Sequence, residues 1–160
     1  MKKLNQVRGE KAKLETEQIK IRPAVEADLD RVTEIDVKNT GLEKAVYWRD
    51  MFNRYGGREG RFFLIAEYGG EACGFIIGEV RAWEFGSPPC GWIFAIGVDP
   101  DARLKKTGSQ LFAAICQRLK DSGVDQVRTM LARDDSLNMA FFRSQGMMGG
   151  PFIQLEMPLD

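Results

Sequence analysis

Residues 96–119 read IGVDPDARLKKTGSQLFAAICQRL, an apolar strand that ends at Val98, a Pro-containing turn, a short basic loop and an amphipathic helix. The loop runs Arg103, Leu104, Lys105, Lys106, Thr107 and reaches Gly108, where the helical pattern begins. A strand that feeds a tight loop into a helix N-terminus gathers several unpaired backbone N–H groups at one point, and the positive end of the helix dipole adds to them. Such an element holds an anion, typically a phosphate or pyrophosphate.

The rest of the chain limits what that anion site can serve. The sequence has 160 residues, enough for one domain that buries about 70% of its unfolded surface. Lys plus Arg and Asp plus Glu both number 23, so no global field favours nucleic acid or an anionic membrane. Histidine is absent, which removes the commonest general base and zinc ligand and excludes Ser-His-Asp, Cys-His and HExxH chemistry. Cys73, Cys90 and Cys116 lie far apart without CxxC spacing and read as reduced thiols; with no signal-type apolar run, a cytoplasmic location is expected. No stretch approaches the ~20 apolar residues that span a bilayer, and no ligand cluster for a metal is visible.

Working outward, residues 1–17 are charged and poor in apolar side chains, so they are expected to form a flexible tail before a domain over 18–160. A strand at 18–22 is followed by helical patterns at 24–37 and 42–55, the second stopped by Gly56-Gly57. Strands at 62–67 and 72–80 flank the turn Tyr68-Gly69-Gly70-Glu71 and make a hairpin. A loop at 81–91, a strand at 92–98, the helix at 107–120, a strand at 126–132, a short helix at 136–144 and a last strand within 152–157 complete the chain. This order predicts a single α/β domain with a mixed, mostly antiparallel sheet flanked by helices.

Neither nucleotide fingerprint fits the loop. A Walker A pattern needs glycine where Pro100 and Lys105 stand, and GxGxxG is absent. The stretch instead resembles motif A of the GNAT family of acyl-CoA-dependent N-acyltransferases, in which a strand ending in V-x-P is followed by Q/R-x-x-G-x-G/A and a helix. Val98, Pro100, Arg103 and Gly108 fall in register with it. A second motif of that family, a polar Asp/Asn region leading into a helix with an aromatic pair and then Gly, matches Asp134 to Met147. The resemblance covers about residues 18–157 and implies acetyl-CoA as co-substrate and direct acetyl transfer to a small-molecule or peptide amine. It implies that the loop from Arg103 through Leu104, Lys105, Lys106, Thr107 and Gly108 to Ser109 carries the pyrophosphate, that Ile96, Gly97 and Val98 pair with the pantetheine arm, and that Asn138 and Phe142 border the coenzyme.

Two positions depart from the pattern. Lys106 stands where the family has its first glycine, so it crowds the pyrophosphate, strains the loop, or points outward and adds charge. Phe142 stands where many members have a tyrosine that protonates the thiolate, and a phenyl ring cannot do that. For the base, Glu79 at a strand end and Glu84, flanked by Trp83 and Phe85, are the candidates, the flank suggesting desolvation. Tyr47, Trp48, Phe52 and Tyr55 read as core or groove wall, Cys90 as inert, and Asp134 and Asp135 as helix caps. An exposed last strand would support a homodimer. The rival reading is a GNAT-fold sensor or interaction module that binds acyl-CoA without turnover, the reading that Lys106 and Phe142 favour.

Overall fold

The computed structural model describes residues 18–159, with the side chains of residues 103–105 outside that description; the expected N-terminal tail lies outside the described residues. Among the described residues there are five strands, β1 (Lys20–Pro23), β2 (Arg61–Tyr68), β3 (Glu71–Arg81), β4 (Cys90–Val98) and β5 (Val127–Arg128). Four α-helices accompany them, α1 (Leu29–Thr40), α2 (Ala45–Tyr55), α3 (Thr107–Asp121) and α4 (Ser136–Ser144). The strands form one sheet in the order β1-β2-β3-β4-β5, antiparallel except for the parallel β4–β5 pair. The β2–β3 turn uses Gly69 and Gly70, both at positive φ, as a two-residue hairpin requires.

Residues 18–130 form one compact unit, in which both faces of the sheet are covered. On one face, Phe63, Ile65, Phe75 and Ile77 pack with Val32 and Ile35 of α1 and with Trp48 and Met51 of α2. On the other face, the opposite parity of β3 meets α3. A Cβ added at Gly74 would lie 3.1 Å from Leu111 Cδ1, one at Gly78 2.9 Å from Ile115 Cδ1, and one at Gly91 2.6 Å from Leu119 Cδ1. Leu111, Ile115 and Leu119 repeat every four residues and so form one ridge, which this glycine track receives at close range. All three are at most 2% exposed, each worth about 1.5–3 kcal/mol of burial.

Buried charge is paired. Asp28 accepts two bonds from the Arg22 guanidinium, at 2.7 and 2.8 Å, and one from Val25 N–H at 2.8 Å, while Arg22 also reaches Glu67. Burial opposes ionisation of Asp28, but the Arg22 and Val25 bonds outweigh it and hold the carboxyl below its ordinary range. Asp36 accepts from Trp48 Nε1 at 3.0 Å and pairs with Lys44, joining α1 to α2.

Residues 131–159 form a second, smaller unit. Here α4 spans the residues expected, and Asp135 caps it by accepting from Asn138 N–H at 3.1 Å. The expected last strand does not form. Ile153, Leu155 and Met157 alternate as a strand would, yet they are 83%, 86% and 75% exposed, and the described part of this unit holds no strand to pair with. Alternation marks a segment as competent to be a strand, while the ladder itself needs a partner edge. The strand on which the homodimer expectation rested is therefore missing. The strand expected at 126–132 is also cut short after Arg128, because Thr129 turns its hydroxyl to Ile93 O, at 2.7 Å, in place of a ladder bond.

Two outcomes test this account. Gly78→Ala places a methyl 2.6 Å from Trp92 O as well as against Ile115, and it should cost about 1–3 kcal/mol in a urea melt. Asp28→Asn should cost about 1–3 kcal/mol at pH 7. Because the folded-state value of Asp28 is depressed, its contribution is present above the ordinary value of 3.8 and fades as pH falls through the folded one. The variant and the parent should therefore begin to converge in stability only below about pH 4.

Candidate active site

The stretch from β4 to α3 is built as its sequence suggests. Asp99 follows the strand as the N-cap of a 3-10 turn over Pro100–Lys105, which Pro100 opens, and α3 starts at Thr107. Proline suits that first position because its missing N–H would be unpaired there anyway. The N-cap of α3 is Lys106, whose own side chain makes no cap bond, and Gln110 N–H bonds back to Lys106 O at 3.1 Å. The amides of a first helical turn, which precede the first intrahelical bond, are the donors a helix offers to an anion.

Lys106 adopts the left-handed conformation, φ 56° and ψ 29°, with its side chain exposed. Of the three outcomes open to this residue, strain in the loop and an outward side chain both describe it. Thr107 contributes only backbone: its side chain is fully buried and its hydroxyl donates to Ala102 O at 3.1 Å. The side chains of Arg103, Leu104 and Lys105 lie outside the described residues.

Among the described residues of this unit, the strand that leads into the loop has a strand partner along its second edge over only its first part. β5 accompanies β4 only at Gly91↔Val127 and Trp92↔Arg128. Asp99 N–H bonds Cys73 O on β3 at 2.8 Å, so by the alternation of antiparallel pairs Gly97 also turns its groups to β3. Ile96 and Val98 then face outward, and Val98 O accepts from Asn39 Nδ2 at 3.0 Å. Gly97 was expected to offer backbone groups as well; they turn to β3, and a Cβ there would lie 2.5 Å from Phe75 Cε1. β4 also carries a bulge, Ile77 pairing with Ala95 and Gly78 with Ile93, which leaves Phe94 as the extra residue.

Phe94 belongs to the face covered by α1 and α2, where its ring lies 4.9 Å from that of Tyr55. Glu79 lies on the same face of β3. Its side chain is 14% exposed, its Oε1 is 2.9 Å from Arg81 Nε and its Oε2 is 3.9 Å from Arg61 Nε. Burial, reinforced by the Glu79 charge, raises the Tyr55 hydroxyl above its usual value and keeps it protonated. Glu84 is different: its side chain is 54% exposed, and Trp83 and Phe85 are 70% and fully exposed. The aromatic flank does not bury Glu84, so the desolvation expected of it is not supplied.

In the second unit, the Asn138 side-chain amide donates to Asp135 at 2.8 Å, and Phe142 is 4% exposed with its ring 5.1 Å from that of Phe141. Among the described residues, no group of three or more His, Cys, Asp or Glu is placed to hold a metal ion. No described helix is long and apolar enough to cross a membrane.

Asp99, Arg31, Lys38 and Asn39 were not anticipated. Asp-Pro after a strand signals a cap, and Arg31 and Lys38 stand two helical turns apart on one face of α1. Both signals are legible in the sequence, but their meeting across residues 31–99 is not.

In this α/β unit, β4 is paired on one edge over only its first residues and runs through a short loop into the N-terminus of α3. A family model described as Acetyltransferase (GNAT) family matches residues 29–147, and the chain belongs to that family. A mycothiol acetyltransferase from Sanguibacter keddieii is 32% identical over 100 residues, 61% of this chain and 32% of the relative. An L-2,4-diaminobutyric acid acetyltransferase from Nocardia farcinica is 30% identical over 79 residues, 49% of this chain and 39% of the relative. The matched stretch thus spans 32% and 39% of these relatives' own length. Among solved structures, an aminoglycoside 6'-N-acetyltransferase from Acinetobacter baumannii superposes with a TM-score of 0.74 at 15% identity, over 89% of this chain and 100% of that one. Another aminoglycoside N-acetyltransferase, solved with CoA, gives 0.76 at 16% identity, over 88% of this chain and 95% of that one. At such identities these structures share the fold.

The left-handed residue in the loop gives a direct test. Lys106→Gly should leave stability unchanged or raise it by up to about 1 kcal/mol, whereas Lys106→Val should lower it by about 1–2 kcal/mol. Thermal melts of the two variants beside the parent measure the difference.

Proposed function

We propose that this chain is an acetyl-CoA-dependent N-acetyltransferase that moves the acetyl group directly to the amine of a small polar acceptor. The observation that carries the reading is the conjunction of the partly paired edge of β4 with the start of α3, in a chain of the acetyltransferase family. Pyrophosphate oxygens suit the amides of Lys106 to Ser109, with Lys106 adding positive charge. The amide groups of pantetheine suit the outward-facing backbone of Ile96 and Val98. Asn138 and Phe142 border the coenzyme by resemblance alone.

The acceptor class rests on relatives and structural neighbours named for acetylation of mycothiol, diaminobutyric acid and aminoglycosides. In the reaction, the amine nitrogen attacks the thioester carbonyl, the C–S bond breaks, and the coenzyme leaves as a thiolate. A thiol with a pKa near 8.5 leaves adequately without an acid, which is consistent with phenylalanine at position 142. Glu79, sheltered beside Tyr55 and Phe94, takes the ammonium proton through water; exposed Glu84 does not.

Calorimetric titration with acetyl-CoA, with ATP and NAD as controls, should give micromolar, coenzyme-specific binding, on the order of −8 kcal/mol. No binding at millimolar acetyl-CoA would sink the reading. Binding without thiol release across an amine screen would make the chain a sensor. Given a substrate amine, Glu79→Gln should lower kcat/KM by about 100-fold with acetyl-CoA affinity unchanged, and Glu84→Gln should stay within about twofold.

A further inference from the structure

We infer that Asp99 is a positioning residue for the coenzyme: held by Arg31 and Lys38 of α1, it sets where the amides at the start of α3 stand relative to the end of β4. This inference rests on the acetyl-CoA reading above. The Asp99 side chain is 3% exposed and ion-paired with both the Arg31 guanidinium and Lys38 Nζ, the latter at 3.0 Å. Its other neighbours belong to the loop. Asp101 N–H donates to the Asp99 carboxylate at 3.1 Å, and Ala102 N–H donates to Asp99 O at 2.9 Å. Ala102 O in turn accepts from the Thr107 hydroxyl at 3.1 Å. An unbroken chain of polar contacts therefore runs from α1 through Asp99 and Ala102 to the first residue of α3.

Arg31 is itself fixed. Arg31 Nε donates to Ala72 O at 3.0 Å, and Arg31 also pairs with Glu34. One position beyond Lys38, Asn39 bonds both Ile35 O and Val98 O. The last turns of α1 thus grip the end of β4 at two successive residues, Val98 by its carbonyl and Asp99 by its carboxylate. Between this grip and α3 lies Lys106, the left-handed residue where a relaxed loop would place glycine. A loop with that much internal strain keeps one geometry only where its ends are held, and Asp99 is the hold at its entrance.

The experiment compares two ligands, coenzyme A and S-acetylpantetheine, which lacks the pyrophosphate. Dissociation constants come from calorimetry and from NMR titration, with melting temperatures recorded for every variant. Asp99→Asn should weaken coenzyme A by about tenfold and leave S-acetylpantetheine within about twofold. Lys38→Met, at a half-exposed position that tolerates change, should weaken coenzyme A by about threefold, and Lys38→Arg should restore it. Equal weakening of both ligands would reduce Asp99 to a general stabiliser and overturn the inference. Unchanged coenzyme A affinity in Asp99→Asn and Lys38→Met would overturn it too, with the acetyl-CoA reading left standing. Failure of the unmodified protein to bind coenzyme A would overturn both.

Discussion

The close seating of α3 on the sheet is the constraint from which the candidate site follows. A helix normally stands off a sheet by the thickness of two layers of side chains, about 10 Å. Here β3 and β4 present glycine where α3 presents Leu111, Ile115 and Leu119, so at those three contacts the sheet contributes no side chain. Leu111 meets Gly74, Ile115 meets Gly78 and Leu119 meets Gly91, and three such close approaches leave the helix little room to slide. Fixing the helix axis also fixes its N-terminus, and the first amides of α3 arrive at the end of β4 as a consequence of packing further along.

The opposite face is held by charge as well as by packing. Three buried carboxylates, Asp28, Asp36 and Asp99, each tie α1 or its entry to a different neighbour: to β1 through Arg22, to α2 through Trp48 and Lys44, and to the anion loop through Arg31 and Lys38. Desolvation makes such pairs poor sources of net stability against an apolar alternative, but breaking one leaves a buried charge without its partner. Their effect here is directional. An apolar contact tolerates rotation of a helix by some degrees, whereas a carboxylate gripped from two sides does not.

Much of this was legible in the sequence because it depends on local pattern. The apolar period of α3, the Gly-Gly hairpin and the capped helix over 136–144 follow from spacing, capping and turn chemistry. What stayed hidden depends on partners far along the chain. Nothing within residues 152–157 shows that the described part of their unit offers no strand to pair with. Nothing beside Glu84 shows that Trp83 and Phe85 point to solvent, although their order in the chain suggested a desolvated carboxylate. Asp99 reads locally as a cap before proline, and its ion pairs appear only when α1 is laid against the end of β4. The glycines of the track were equally opaque, since a glycine in a strand reports that something comes close without saying what.

Lys106 brings the two halves of the structure together. A left-handed backbone at a residue with a Cβ costs about 1–2 kcal/mol, and a cation at a helix N-terminus costs about 0.3–1 kcal/mol against the dipole. Both penalties fall on one exposed residue, and packing offsets neither, because its side chain lies outside the core. The second penalty has a remedy: an anion at the start of α3 neutralises the lysine and the helix end together. The first has its remedy in the structure already, through Asp99 and the Ala102–Thr107 bond that hold the loop at its two ends. A loop held at both ends, with a lysine at the start of a helix, is the arrangement that an anion placed there would stabilise. That is the physical condition for a site that binds and releases an anionic coenzyme in each turnover.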